Sequence, residues 1–407
     1  MAQSIADFFT RYDAGRRPEL LPLRYHRMQA NAFAFFRGSA PLFYDEYGRE
    51  ALLQDSPVAW LCGDAHIENF GSYRGGNGLV YFDANDFDEA IRGPLLWDVA
   101  RLLVSVLLSG AYLGLSPAQR RAAARIALAT YAAALATGKP FLLERATAHG
   151  VVRQFIKTVT RRRRRDLLRA RARQHHGWHL RPGPTLYLLP ADERERVLAA
   201  FETWRSAQDA PPCGPGLDVA QRVAGVGSLG VPRYILLTQH LRPRKRPLLL
   251  DLKLALPAAS QGAKLPQPRW PSEAHRVAQT QTWLQAVPPA LLQAVMLDGQ
   301  PFVLRALQPV ADKLDFSQFG HNKATFRAAL PDFAQLLASA HLRAAGRHGA
   351  AVPDVLQAYG TAVEHWQEGL LRFADEAAAR VKKDFGAFKD ACRTDALPTA
   401  ARPLKVR

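Results

Sequence analysis

The chain is poor in sulfur and in acid. Its three cysteines, Cys62, Cys213 and Cys392, are odd in number and scattered, with neither zinc spacing nor a disulfide framework, which fits a reducing compartment. Asp and Glu number 36 against 54 Lys and Arg, giving a formal charge of +18. Such a field draws anionic partners without choosing between nucleotides, phosphorylated metabolites, nucleic acid and membrane surfaces. No apolar run is long enough to span a bilayer, and Leu102 to Leu115 reads as a buried helix. The opening residues, MAQSIADFFTRYDAGRRPELLP, contain no apolar leader core and no small-residue cleavage site, so the expected location is cytoplasmic. At 407 residues, 48% hydrophobic and 22% charged, the chain can hold one two-lobed unit or two to three small domains.

Against that background, residues 61 to 101 stand out. Gly63-Asp64-Ala65-His66-Ile67-Glu68-Asn69 follows the apolar Val58 to Cys62, and Asp83-Ala84-Asn85-Asp86-Phe87-Asp88-Glu89 follows the apolar Leu79 to Phe82. Arg74 to Gly78 between them is a turn by composition, so the stretch reads as strand, turn, strand with acids at both ends. Carboxylates gathered at strand ends are hard oxygen ligands suited to Mg²⁺ shared with a substrate's phosphates. Phosphoryl transfer needs one carboxylate for the attacking hydroxyl and an Asn and an Asp for metal, roles that Asp64, Asn69 and Asp86 fit. The bland alternative is that these groups only cap turns and helix starts. Two clusters in this order, followed by Trp97-Asp98, weigh against it. Asp64-Ala65-His66 also matches the opening of many metallophosphoesterases, but their Gly-Asn-His element is missing. A calcium loop at Asp83 is disfavoured by Phe87 at a ligand position.

The sequence GDxHxxN, then DFDEA, then GPxxWDVA resembles the catalytic core of the aminoglycoside and choline phosphotransferases, relatives of protein kinases. The resemblance implies Asp64 as catalytic base with His66 beside it, Asn69 and Asp86 as metal ligands, and Asp98 as a helix-start anchor for the catalytic loop. The whole chain also resembles a bacterial family known only as a domain of unknown function, which supplies no activity.

Elsewhere the reading is coarser. Residues 18 to 37 predict a helix ended by Gly38, with Arg24, Arg27 and Arg37 beside an apolar face. Asp98 starts a long apolar helix to about Leu113, and Ser116-Pro117 opens an Ala-rich one to about Ala136. Residues 151 to 181 carry the strongest basic run, including Arg161 to Arg165. If helical, these arginines spread around the whole circumference, which favours a solvated helix over a groove for nucleic acid. His175, His176 and His179 read as surface residues. Asp209 to Gly216 is the clearest linker.

After the linker, Gly225-Val226-Gly227-Ser228-Leu229-Gly230 is followed not by a helix but by two strand-like runs, Tyr234 to Leu241 and Leu248 to Leu256, joined by a basic turn with two prolines. A Gly loop, a strand and a further strand carrying a lysine resemble the start of the kinase small lobe, with Lys253 as the nucleotide lysine. Ser272 caps a helix to about Val287 that lacks a central Glu, which leaves Glu273 or Gln281 as partners for Lys253. A hairpin turning at Asp298-Gly299 leads to Leu307-Gln308-Pro309, which resembles the kinase hinge, and the chain is helical from Asp332.

The expected fold is therefore α+β, two-lobed and kinase-like in circularly permuted order. Residues 1–215 would form the large-lobe part, 216–310 the small lobe, and 311–407 the helices that complete the large lobe. The expected activity is ATP- and Mg²⁺-dependent phosphoryl transfer to a small-molecule hydroxyl, with an anionic acceptor favoured by the Arg content. The alternatives are a nucleotide-binding regulator without transfer, nucleotidyl transfer to protein and, less favoured, a nucleic-acid binder.

Overall fold

The computed structural model describes residues 4–242, 245–260, 265–309 and 322–399. Part of the basic turn after Leu241 and the expected boundary at 310 lie outside the described residues.

Helices α1 (Ile5–Tyr12), α2 (Leu21–Met28), α3 (Ala32–Gly38), α4 (Ala40–Tyr47) and α5 (Ala51–Gln54) lead into strand β1 (Val58–Leu61). The single helix expected over 18 to 37 is broken, because the Asn31 side chain accepts the Ala34 N–H at 2.8 Å and starts a new helix. Strands β2 (Phe70–Arg74) and β3 (Val80–Ala84) form one antiparallel pair, while β1 pairs instead with β4 (Ile91–Pro94). The predicted strand, turn, strand unit is thus two ribbons, one nested within the other in chain order.

Helix α6 (Leu96–Tyr112) is buried almost throughout, as a helix apolar on all sides requires. Helix α7 (Pro117–Ala136) starts at a capping box between Ser116 and Gln119. The basic stretch that follows is not one helix. It divides into α8 (Gly150–Arg161), α9 (Arg164–Arg171) and a hairpin of β5 (Ala172–Gln174) and β6 (Trp178–Leu180). Arg161 and Arg163 to Arg165 are exposed, as are His175, His176 and His179.

Strand β7 (Leu186–Leu188) and helix α10 (Ala191–Ser206) precede β8 (Gly216–Arg222), β9 (Arg233–Thr238) and β10 (Leu248–Leu254). Helix α11 (Glu273–Leu284), β11 (Gln293–Leu297) and β12 (Gln300–Ala306) follow. One antiparallel six-stranded sheet results, in the order β11-β12-β10-β9-β8-β7. Period-2 alternation gives it two unlike faces. Leu250 and Leu252 turn to one side with Val219, Leu236 and Phe201 of α10. Ala220, Ile235, Leu237 and Leu249 turn to the other, under Leu168 of α9 and Leu180 of β6. The sheet unit therefore takes in β7, α9, α10 and the β5-β6 hairpin, which the expected boundary at 216 had assigned to the large part. Their apolar residues are too few to bury one another and find cover only on the sheet.

Helix α12 (Lys323–Ala344) begins nearer the N-terminus than the expected Asp332 and carries Pro331 inside it. With α13 (Pro353–Thr361) and α14 (Gln367–Arg393) it packs against α6 and α7, so the C-terminal helices share one core with the segment holding Asp64. The architecture is mixed α+β.

Candidate functional site

The site is built on α6. Within this apolar helix the polar residues Asp98, Arg101 and Ser105 recur at a spacing of three and four, which puts them on one face. All three are fully buried, and each holds the loop after β1. Asp98 accepts from the Cys62 N–H at 2.8 Å and the Gly63 N–H at 3.0 Å. Arg101 donates from Nε to Asp64 Oδ1 at 2.9 Å and from Nη2 to the same oxygen at 2.5 Å. Ser105 Oγ accepts from the Ile67 N–H at 3.2 Å. The outer side of Asp98 is met by His341 Nε2 at 3.2 Å, whose Nδ1 lies 2.8 Å from the Tyr131 hydroxyl. Gly63 is required as glycine, with φ +81° and the Glu89 carbonyl where a Cβ would stand.

Both Arg101 bonds fall on Oδ1 of Asp64, while Oδ2 lies 3.7 Å from His66 Nε2. Burial raises the Asp64 pKa, and the opposing Arg101 guanidinium does not fully offset it. Asn69 joins the two acidic loops, donating from Nδ2 to the carbonyls of Asp64 and Asp86, each at 3.0 Å. Its Oδ1 is buried without a hydrogen-bond partner.

Lys253, on the third strand counted from β8, reaches these loops. Its Nζ bonds Asp88 and lies 3.5 Å from Asp86 Oδ1. Neither expected partner meets it. Glu273 pairs with Arg276 at 2.5 Å, and Gln281 donates to Gln285 at 3.1 Å. Arg276 of α11 donates to the carbonyls of Ala90, of Asp88 at 2.8 Å and of Leu256 at 3.0 Å. The α11 side chain that reaches this loop is therefore a cation bound to its backbone, and the loop's own Asp88 serves the lysine. Sequence reasoning missed Asp88, although it stands two residues from Asp86.

A cavity of about 520 Å³ joins these parts, lined by Asp64, His66, Asn69, Asp86, Gly225, Gly227 and Ser228 among others. Asp98, Gly230, Lys253 and Gln281 are not in its lining; Lys253 stands behind Asp86 and Asp88, which are. Gln308 also lines the cavity, and its side chain accepts from Asn85 Nδ2 at 3.3 Å. Burial pushes the lining Glu89 up to about 7.

The Gly loop is held from outside. Arg16 donates to the Leu229 carbonyl at 2.8 Å, Arg24 to Val226 at 2.6 Å and Gly227 at 3.1 Å, and Arg27 to Gly225 at 2.9 Å. Arg24 is fully buried and also binds Asp13 at 2.9 Å. Arg37 pairs with Glu68 in the cavity wall. Arg24 and Arg27, read from the sequence only as neighbours of an apolar face, brace the loop together with Arg16 because they converge from a segment far from it in the chain.

Among the described residues no group of three or more His, Cys, Asp or Glu is placed for a metal ion. Asn69 Oδ1 and the Asp86 carboxylate instead offer two hard oxygens at one cavity wall, a set that suits Mg²⁺ completed by ligand phosphates and water.

Fold and site together define a mixed α+β protein with a charged cleft between a six-stranded sheet and a helical core. The chain belongs to the family described as uncharacterized protein conserved in bacteria (DUF2252), whose model matches residues 16–391. No curated protein and no solved structure matches it.

Two outcomes follow from this geometry. His341→Phe leaves the buried Tyr131 hydroxyl without its partner and should lower unfolding free energy by about 1–3 kcal/mol, read by urea denaturation. Unchanged stability would show that the Asp98, His341 and Tyr131 chain is not needed. Arg24→Met removes one of the two buried guanidiniums on Asp13, the other being Arg16, and should cost about 1–3 kcal/mol. Amide exchange across residues 225–230 should rise with it, and a loop as protected as before would refute the brace.

Proposed function

We propose that this protein is a phosphotransferase that binds a nucleoside triphosphate, ATP in the first instance, with Mg²⁺ and transfers a phosphoryl group to the hydroxyl of a small molecule. The observation that carries this reading is the meeting of Lys253 with Asp86 and Asp88, the latter 165 positions away, beside a cavity lined by a Gly loop, Asp64 and Asn69. A lysine, a Gly loop, a metal Asn and Asp, and a further Asp to receive the hydroxyl's proton are the parts that phosphoryl transfer requires. Their chain order, with the Asp64 and Asp86 loops first and the sheet second, supports a circularly permuted, kinase-like fold of two lobes. The packing of α12 against α6 supports the same arrangement.

Mg²⁺, when bound, would neutralise phosphate charge during transfer. Asn69 Oδ1 and Asp86 are the residues to hold it. Asp64 takes the acceptor's proton on Oδ2, since Oδ1 is committed to Arg101, and its raised pKa moves it toward the range of a working base. Arg101 fixes the carboxylate's rotamer, and His66 borders its open oxygen. Lys253 is poised to exchange a carboxylate for a phosphate oxygen.

A second reading, nucleotide binding without transfer, is favoured by one observation: a fully buried guanidinium holds Asp64 and weakens it as a base.

With ATP, Mg²⁺ and a metabolite panel, Asp64→Asn should lower kcat about 10²–10⁴-fold while ATP affinity changes little. Wild-type turnover in this variant would remove Asp64 as base, and absence of any phosphorylated product from the wild type would favour the second reading. Calorimetry should show ATP binding weakened by chelating Mg²⁺ and, in Asp86→Ala, indifferent to it. Equal ATP affinity of the wild type with and without Mg²⁺ would rule out the proposed metal site.

A further inference from the structure

The cleft face of the sheet carries more positive charge than the sheet needs. Arg222 of β8, Arg233 of β9, Asp251 of β10 and Arg305 of β12 stand on four neighbouring strands, and all four line the cavity. Alternation puts Asp251 on the same face as Lys253, opposite Leu250 and Leu252. Asp251 accepts from Arg222 Nη1 at 2.8 Å and from Arg233 Nε at 2.8 Å and also Nη2, while Arg305 Nε stands 3.6 Å away. One carboxylate therefore serves three guanidiniums, whose side chains are 9%, 10% and 15% exposed.

A brace across strands is complete with one arginine and one aspartate. Each further guanidinium taken out of water loses hydration and repels its neighbours, so a buried surplus of cations is stable only when an anion offsets it. The strain of the surplus is visible. Burial and the neighbouring Arg233 push Arg222 down to about 10, whereas Asp251, despite its burial, is held well below the usual carboxylate range by the arginines around it. Deeper on the same face, Ile235, Leu237 and Leu249 are sealed by Leu168, Leu180 and Leu186, so compensation does not come from that side. Asp86 and Asp88 are engaged by Lys253 and also help to hold Arg233 charged, whereas Arg222 and Arg305 pair with no carboxylate besides Asp251 among the described residues. Planar guanidiniums in a low-dielectric wall are suited to a tetrahedral or planar oxyanion bound through two oxygens at once.

We propose that Arg222, Arg233 and Arg305 form an oxyanion site in the cleft, one that takes a phosphate-type group, free or carried on a nucleotide, without help from Mg²⁺ or Lys253. The inference deepens the phosphotransferase reading by naming a second anion in the same cleft, but it stands on the arginine cluster alone.

The test is calorimetry of the full chain with inorganic pyrophosphate in the presence of EDTA, so that metal-dependent binding at Asp86 is silent. Arg222→Gln and Arg305→Gln should each weaken binding about 10-fold or more, whereas Lys253→Met should change it less than about 3-fold. Wild-type affinity in the two arginine variants, an equal loss in Lys253→Met, or no binding by the wild type would overturn the site. If circular dichroism shows the Gln variants unfolded, Arg305→Lys keeps the charge but not the fork, and an affinity equal to wild type there would also overturn it. Repeating the titration with AMP identifies the source: tighter binding than pyrophosphate indicates a nucleotide's phosphate, weaker binding a free anion, and either order supports the site. Product formation is assayed separately, so failure of turnover leaves this outcome readable.

Discussion

The site depends on three polar side chains, Asp98, Arg101 and Ser105, inside a largely apolar helix. Asp98, Arg101 and Ser105 are fully buried, and leaving such groups unpaired would cost more than most single contacts contribute. Their bonds to the loop from Cys62 to Ile67 form only if that loop lies along α6 in one register. The loop in turn fixes Asn69, and Asn69 fixes the spacing to Asp86 through its two carbonyl bonds. Because α6 is packed on all sides, this register is transmitted from the core to the cleft with little freedom to slip.

Around that fixed centre, distant segments supply the remaining walls. The N-terminal arginines hold the Gly loop by its carbonyls, and His341 of α12 closes behind Asp98. Arg276 of α11 grips the backbone of the loop carrying Asp86 and Asp88, while Lys253 grips its side chains. Cation and anion networks thus take the place that apolar packing has elsewhere. This explains how a chain of formal charge +18 keeps many of its arginines indoors. Arg24, Arg101, Arg233 and Arg276 are all buried, and each has a carboxylate or carbonyl partner. The cluster around Asp251 is the exception in balance, with three guanidiniums to one acid.

What the sequence alone determined is local. Capping residues and turn glycines fixed the starts of α7 and α11 and the Asp298-Gly299 hairpin, where both turn residues have positive φ. The acidic clusters singled out Asp64, Asn69 and Asp86, and helix-start chemistry singled out Asp98. Arg101 and Ser105 were within reach of the same reading, as polar residues at helical spacing in an apolar run. Only the tertiary structure decided the partners. Lys253 meets Asp88 instead of Glu273 or Gln281, the helix over 18 to 37 breaks at Asn31, and α9 and α10 join the sheet. The physical reason is that propensity and capping act over a few residues, whereas an ion pair is chosen by whichever carboxylate the packed core brings within reach of a buried cation. No local pattern encodes that distance.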